Sequence, residues 1–369
     1  MQLKAWAAAL AVAIPAFGVQ AQILVGQTAG FSGPVAAGVK ETTDGALLYI
    51  DAVNARGGVN GQKIELISLD DKFDPKLAAE NARELIVEKK VAALFLNRGT
   101  PHSQAIMPLL AEHRIAMVAP STGAMVLHEP VNPYIFNVRA TYQREAERAI
   151  RHLSLIGLER IAVMQVDDSF GADSMAGAQK GFDGVGKQPV VLEKFDRAKP
   201  DFAPIVPKIV KADAQAVMII GSGSAVVEGL KALRGAGSRA QVVTLSNNAS
   251  AGFIKSLGEH ARGVIVSQVF PYERSLSAPI VKEAVDLMRA KGGTEVSPAM
   301  MEGFAAAKVL VEGLRRAGPN PGRAQIISGL NSIRNFDIGG MEINYSPTDH
   351  TGLDYADLSI IGPDGKFRR

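Results

Sequence analysis

The sequence has no cysteine, so it can form no disulfide bond, thiolate metal site or lipidated cysteine anchor. It also lacks a lysine- or arginine-rich run, and its formal net charge is only +3 over 369 residues. Both features argue against a nucleic-acid partner. Without cross-links the protein depends on its hydrophobic core, and a chain of this length with 47% apolar residues can form one.

A long uncharged apolar stretch covers residues 5–18 and follows the positive charge of Lys4. It is shorter than the about 20 residues needed to cross a bilayer. Residues 19–21 read V-Q-A, the small-x-small pattern that signal peptidase requires. We therefore expect residues 1–21 to be a cleaved signal peptide, Gln22 to begin the mature chain, and no lipid anchor to be present.

Motifs for catalysis are also missing. There is no G-x-S-x-G nucleophile turn, and the six histidines include no H-x-x-x-H pair. Residues 181–187 read G-x-x-x-x-G-K, but Gln188 stands where a P-loop needs Ser or Thr. The Asp70-Asp71 and Asp167-Asp168 pairs have no accompanying nucleophile, which favours helix caps or hinge ligands over acid–base dyads. We expect no catalytic residue, metal or cofactor.

From Gln22 onward, short apolar runs alternate with helical stretches. The strand-like runs are residues 63–69, 91–96, 115–118, 161–164, 216–220 and 242–245. Continuous apolar runs are typical of parallel strands covered by helices on both faces, so the pattern predicts a doubly wound α/β fold. Asp74-Pro75 predicts a helix start. The alternation breaks near residues 139–143, before a predicted helix at 144–156, which indicates a crossing into a second lobe. Further helices are predicted near 279–290 and 298–317, and a short strand near 339–344.

Small polar residues follow many of the predicted strands. If the strands are parallel, these turns meet at one crevice, where free N–H groups at helix starts favour a carboxylate or phosphate. The best candidates for such contacts are Thr100, Ser121, Thr122 and Gly123. Plain N-capping is the alternative for each turn. His102 lies beside the Thr100 turn and could reach a ligand, but we interpret it as a surface helix residue.

Several short segments carry a family resemblance. Residues 30–34 read G-F-S-G-P, residues 50–61 read I-D-A-V-N-A-R-G-G-V-N-G, and residues 303–306 read G-F-A-A. They resemble the leucine/isoleucine/valine-binding type of periplasmic solute-binding protein. The resemblance implies an α/β fold of two Rossmann-like lobes, each a mostly parallel sheet flanked by helices, joined by three hinge crossings. The N-terminal lobe would contain residues 22–140 and 270–345, and the C-terminal lobe residues 141–269 and 346–369.

The resemblance also implies a ligand site between the lobes. The family holds the ligand's α-carboxylate at positions that correspond to Thr100, Ser121 and Gly123, and an aromatic ring covers the ligand at the position of Phe170. The full set of predicted ligand-binding residues is Thr100, Ser121, Thr122, Gly123, Phe170, Ser222, Ser246, Asn247 and Glu302. We expect Thr100→Ala and Phe170→Ala to weaken binding without affecting the fold, because neither residue is expected in a core.

Two positions depart from the family pattern. Ser222 stands where amino-acid binders have a second tyrosine, and Ser246 or Asn247 stands where they have a glutamate for the ligand's ammonium group. A buried ammonium without a carboxylate partner is costly. The ligand is therefore an organic acid, an aromatic carboxylate or an amide, or else an amino acid whose ammonium group is met by Glu302 or Asp168.

The resulting hypothesis is a monomeric periplasmic protein that captures a small carboxylate-bearing solute and delivers it to an inner-membrane ABC permease. One alternative is a ligand-sensing receptor domain, which shares the fold but would carry a DNA-binding helix pair, a membrane helix or a cytosolic start. Another is an exported α/β enzyme that uses an Asp pair, which would turn its ligand over.

Overall fold

Residues 22–369 are described by the computed structural model, and the predicted signal peptide lies outside them. The strands are β1 (Ile23–Ala29), β2 (Ile64–Asp70), β3 (Ala93–Phe95), β4 (Met117–Val118), β5 (Ile135–Phe136), β6 (Ile161–Val166), β7 (Val191–Phe195), β8 (Ala216–Ile220), β9 (Gln241–Thr244), β10 (Ile265–Gln268), β11 (Phe336–Asp337), β12 (Glu342–Ile343), β13 (Asp357–Ile361) and β14 (Phe367–Arg368). The helices are α1 (Ala36–Ala55), α2 (Pro75–Val87), α3 (Thr100–His113), α4 (Tyr142–Leu155), α5 (Ser169–Gly184), α6 (Val206–Lys211), α7 (Gly223–Gly235), α8 (Ala251–Leu257), α9 (Pro279–Ala290), α10 (Pro298–Ala317) and α11 (Arg323–Asn331).

The first lobe is built around a five-stranded parallel sheet in the order β2-β1-β3-β4-β5. Helices α1 and α10 pack closely against each other beside it. Glycine makes this approach possible, because a Cβ on Gly303 would lie 1.7 Å from the Thr42 carbonyl oxygen. The G-F-A-A segment therefore reflects helix packing, and its Phe304 meets the Tyr49 ring edge-on at 5.2 Å.

The second lobe is built around a seven-stranded sheet in the order β14-β13-β10-β9-β8-β6-β7. Strands β6 to β10 run parallel, whereas β13 and β14 are antiparallel additions at one edge. The central strands β6 and β8 are buried along their whole length, which explains their continuous apolar sequences. The predicted α/β fold of two mostly parallel sheets flanked by helices is confirmed.

The chain passes between the two sheets three times, between β5 and α4, after β10, and before β13. Within residues 22–369, no helix is both long enough and apolar enough to cross a bilayer. The residue boundaries proposed for the two lobes stay a prediction.

Two helix starts are explained by side-chain caps. The Asp74 carboxylate accepts a hydrogen bond of 2.8 Å from the Lys76 N–H, and Pro75 opens α2 as predicted. Helix α4 begins at Tyr142, two residues before the predicted start, because the Thr141 hydroxyl accepts from the Arg144 N–H.

The turn at residues 121–123 does not begin an α-helix, contrary to the expectation of free N–H groups at a helix start there. The chain instead continues to a short 3-10 helix, Met125–Leu127. The Gly123 carbonyl accepts a hydrogen bond of 2.8 Å from the Tyr142 N–H. This bond ties the segment to the first crossing, and a Cβ on Gly123 would lie 2.5 Å from the Ala140 carbonyl oxygen.

Candidate functional site

A small cavity lies between the lobes, where the turns that follow the strands of both sheets face each other. It is lined by Val35, Phe73, Arg98, Gly99, Thr100, Tyr142, Phe170, Arg197, Ser222 and Asn247. The cavity measures 20 Å³, about the space of one or two water molecules. The lobes are therefore in contact around this central cavity, which has no room for a larger molecule.

Arg98 follows β3 and is 5% exposed. Its guanidinium donates from Nη1 to the Ser121 hydroxyl at 2.8 Å and from Nη2 to the Asn247 carbonyl oxygen at 2.7 Å. Both acceptors are uncharged, so these bonds orient the guanidinium without pairing it directly with a carboxylate, and the nearby carboxylate of Glu302 lies on the far side of the Ser121 hydroxyl. The next residue, Gly99, has a φ of 99° and directly precedes α3, whose start adds the positive end of a helix dipole beside Arg98.

Arg197 lies on the opposite side of the cavity, after β7 of the second lobe. Its guanidinium forms an ion pair with Asp168 and lies 4.9 Å from the centre of the Phe73 ring. The Asp168 carboxylate also caps α5, accepting from the Phe170 N–H at 2.8 Å and the Gly171 N–H at 3.1 Å. Asp168 is thus fully occupied by contacts within the protein.

His102 is completely buried and stacks on the Phe73 ring at 4.4 Å between ring centres. Burial lowers the pKa of His102 to about 4, so the ring is neutral at physiological pH. Its interpretation as a surface residue is wrong. The imidazole instead supports Phe73 from behind the cavity wall.

A buried charge network lies behind the cavity and reaches the first crossing. The Ser121 hydroxyl donates to Glu302 Oε1 at 2.6 Å, and Glu302 Oε2 lies 3.9 Å from Arg139 Nη1. Arg139 also pairs with Glu145 and donates to the Ser246 hydroxyl at 2.8 Å. Burial opposes the charge of Arg139, but Glu145 and Glu302 together raise its pKa above the ordinary value.

Comparison with known proteins identifies the family of this chain. The model of the family of periplasmic binding proteins matches residues 22–359. The chain belongs to this family. It is 23% identical over 312 residues to the Leu/Ile/Val-binding protein of Escherichia coli strain K12, covering 84% of each chain.

Two solved structures are similar along nearly the whole chain. A substrate-binding periplasmic protein from Ralstonia solanacearum has a TM-score of 0.86 and 30% identity, covering 94% of this chain and 99% of that one. A possible leucine/isoleucine/valine-binding protein from Rhodopirellula baltica SH 1 has a TM-score of 0.89 and 25% identity, covering 96% and 98%. The predicted membership in the leucine/isoleucine/valine-binding type is confirmed.

In this binding protein, four of the nine predicted ligand-binding residues line the central cavity together. They are Thr100, Phe170, Ser222 and Asn247. The other five, Ser121, Thr122, Gly123, Ser246 and Glu302, lie behind its wall. Thr122 reaches the cavity indirectly, because its hydroxyl is 2.8 Å from that of Thr100.

The expectation that Phe170 lies outside a core is wrong. Its side chain is 6% exposed and packs among the buried residues of the second lobe, with its ring 4.8 Å from that of Tyr142 and edge-on to it. Phe170→Ala would remove core packing as well as part of the cavity wall, at a cost of roughly 3 to 5 kcal/mol. Phe170→Leu is the milder probe of binding.

Six residues of the wall are absent from the predicted set, and they are Val35, Phe73, Arg98, Gly99, Tyr142 and Arg197. For Arg98 a signal existed, since it stands directly before Gly99 in a polar turn that was already singled out. Arg197 carries no local signal, because its approach to Phe73 joins two different lobes. Within residues 22–369, no group of three or more His, Asp or Glu side chains is placed to hold a metal ion.

Proposed function

We propose that this binding protein is the substrate-binding component of an ABC importer and captures a small carboxylate-bearing solute in the central cavity. The observation that carries the proposal is Arg98, a nearly buried guanidinium whose hydrogen-bond acceptors are uncharged and which faces a cavity walled by both lobes. A buried charge is costly unless a counter-charge is supplied. A ligand carboxylate supplies it, and the start of α3 adds to the attraction.

Binding is coupled to closure of the two lobes. Besides Arg98 and Asn247, the lobes are joined by the Ser169 hydroxyl, which donates to Gln104 Oε1 at 2.6 Å. A solute that touches Arg98 and Thr100 on one side and Ser222 on the other is held by both lobes and leaves the open form unaffected. Because a cavity of 20 Å³ has no room for it, the solute-bound form is closed less tightly than this structure. The remaining predicted ligand residues, Ser121, Thr122, Gly123, Phe170, Ser246, Asn247 and Glu302, contact the solute or shape the wall.

The proposed solute is either similar to a branched-chain amino acid or an organic or aromatic acid. The Escherichia coli relative is named for binding leucine, isoleucine and valine, which supports a carboxylate-bearing ligand. The protein acts as a monomer in the periplasm after loss of residues 1–21, delivers the solute to an inner-membrane permease and performs no catalysis. Residues 22–140 and 270–345 form one lobe, and residues 141–269 and 346–369 form the other.

A thermal-shift screen of the mature chain against amino acids, aromatic acids and dicarboxylates tests the proposal. A ligand at about 100 times its dissociation constant adds roughly 2.7 kcal/mol of stability. Arg98→Met should reduce the stabilisation at the same ligand concentration to about 0.4 to 1.4 kcal/mol, and mass spectrometry should recover the ligand unchanged. Absence of any stabilising carboxylate contradicts the proposed ligand class. Loss of uptake of that solute in cells lacking the chain would link binding to import.

A further inference from the structure

We infer that the solute carries a carboxylate but no ammonium group, and that it is an apolar or aromatic acid of the 2-oxo, 2-hydroxy or unsubstituted kind, not an amino acid. This inference rests on the proposed function and narrows its ligand class. Arg98 is the specificity-determining residue for the carboxylate.

The ten residues that line the central cavity include two arginines and no aspartate or glutamate. An amino acid's ammonium group would therefore find hydroxyl and amide groups at best. Besides Arg197, the second lobe offers Ser222 and Asn247 as polar groups, and neither of these two carries a charge. A desolvated ammonium needs a charged partner to be bound favourably.

The two carboxylates that could approach an ammonium are committed elsewhere. Asp168 pairs with Arg197 through one oxygen and caps α5 through the other. Glu302 accepts a hydrogen bond from Ser121 and faces Arg139. If Asp168 or Glu302 turned toward a ligand, a buried arginine or a helix start would lose its partner. This loss offsets the energy gained by pairing with the ligand's ammonium group.

The charges near the cavity also act directly against a cation. Arg98 lies on one wall and the start of α3 adjoins it, so the potential on this side is positive. An ammonium two bonds from the carboxylate would be repelled by the same groups that attract the carboxylate. Because Arg98 donates only to uncharged acceptors, its charge favours a ligand that is an anion without a positive group.

The other residues of the cavity wall indicate that the solute has an apolar body. Phe73, Tyr142 and Phe170 present rings from both lobes and from the first crossing, and Val35 adds an aliphatic contact. Tyr142 and Phe170 meet edge-on, and the Arg139 guanidinium lies 4.6 Å from the centre of the Tyr142 ring, so the remaining parts of these rings face the cavity and suit an apolar group.

Matched pairs of acids test the inference by isothermal titration calorimetry. The pairs are leucine with 4-methyl-2-oxopentanoate and phenylalanine with 3-phenylpropanoate, which share a carbon skeleton and differ at the amino-bearing carbon. We expect at least one acid without an ammonium group to bind, and its amino-acid partner to bind at least ~100-fold more weakly. Equal or tighter binding of the amino acid overturns the inference and leaves the proposed function intact. Binding of neither member of either pair overturns the inference, and the proposed function is then decided by the thermal-shift screen.

A charge introduced into the wall gives a second, independent readout. Ser222 lies directly before α7 and its side chain makes no capping hydrogen bond, so Ser222→Asp places a carboxylate beside the cavity at a helix start that tolerates it. We expect the preference for the acid over its amino-acid partner to fall at least ~10-fold. Gln188→Glu adds the same charge at an exposed position of the second lobe outside the central cavity. It should leave the preference within ~3-fold of the parent value. An unchanged preference in a folded Ser222→Asp protein contradicts the inference.

Discussion

Arg98 of the first lobe donates a hydrogen bond of 2.7 Å to the backbone carbonyl oxygen of Asn247 in the second lobe. Because the acceptor is backbone, substitution of the Asn247 side chain leaves this bond available. The Asn247 amide instead donates to the Gly221 carbonyl oxygen at 3.0 Å, which shapes the turn that presents the acceptor. The guanidinium of Arg98 thus joins the lobes and also lines the central cavity.

Arg98→Met is expected to weaken carboxylate binding by about 1.5 to 3 kcal/mol, because a charge-assisted hydrogen bond is lost. This corresponds to roughly 10- to 100-fold in the dissociation constant. The affinity of Arg98→Lys should lie between those of the parent protein and Arg98→Met, since a lysine keeps the charge but cannot reach Ser121 and Asn247 at once. Calorimetry measures both. Arg262→Met, at an exposed position of the second lobe, is the matched control, and an equal loss there would contradict a local effect.

Glu41 of α1 forms a further connection between the lobes. Its carboxylate accepts hydrogen bonds from the Ala251 N–H at 3.0 Å and the Gly252 N–H at 2.8 Å, both at the start of α8. Glu41→Ala removes charge-assisted bonds that exist only when the lobes are closed, so ligand affinity should fall about 10-fold or more, mainly through faster release. Stopped-flow displacement measures the release rate.

The control for Glu41 lies on the same helix. Asp44 forms an exposed ion pair with Lys40 at 2.8 Å and contributes little to stability or closure. Asp44→Ala should leave the release rate within ~2-fold of the parent value. If Glu41→Ala and Asp44→Ala behave alike, the Glu41 contact does not stabilise the closed form.

Glu145 of α4 is completely buried and holds the first crossing in place. It pairs with Arg139, and it accepts hydrogen bonds from the Ser267 hydroxyl and, at 2.9 Å, from the Ser246 N–H. Glu145→Ala leaves Arg139 without its closest counter-charge, so the free energy of unfolding should drop by about 3 to 5 kcal/mol. Thermal unfolding by circular dichroism measures the loss.

The same helix provides the comparison for Glu145. Glu147 forms a more exposed ion pair with Arg151 at 3.0 Å. Glu147→Ala should cost no more than about 1 kcal/mol, because solvent screens the pair. A similar loss of unfolding free energy in both variants would indicate helix propensity as the cause and would contradict a stabilising role for the buried contacts of Glu145.

Local patterns predicted most of the fold. Continuous apolar runs marked the central strands because strands such as β8 are buried on both faces. Asp74 and Pro75 marked the start of α2 because capping is a local property. The turns that carry Thr100, Ser222 and Asn247 were found for a similar reason, since parallel strands bring their carboxyl ends to one edge.

Contacts between distant segments could not be predicted in this way. The carboxylate of Glu302 is occupied by contacts with Ser121 and Arg139, which lie in other parts of the chain. The position of Arg197 over Phe73 depends on how the two lobes face each other. The burial of His102 follows from the same packing, because Phe73 reaches the ring from the turn after β2.

Asp71 is completely buried next to β1 and gives the protein a specific pH dependence. Burial raises its pKa to about 6, although hydrogen bonds from the Phe73 N–H and the Thr28 hydroxyl oppose the shift. The folded state binds the proton of Asp71 more tightly than the unfolded state does. Protonation of Asp71 therefore adds to the free energy of unfolding at low pH. This contribution is lost as the pH rises from about 4 to about 6.

Asp71→Asn should therefore stabilise the protein at pH 7.5 by up to about 2 to 3 kcal/mol, because the amide carries no buried charge. The gain should shrink toward zero near pH 4, where Asp71 is protonated in the folded state. Asp70→Asn serves as the opposite case: burial opposes ionisation there, but hydrogen bonds from Ser32 and Lys72 lower the pKa of Asp70. That substitution should destabilise the protein at pH 7.5 and less so as the pH falls. Urea unfolding between pH 4 and 7.5 measures both trends, and a pH-independent effect of Asp71→Asn would exclude a buried charge as its cause.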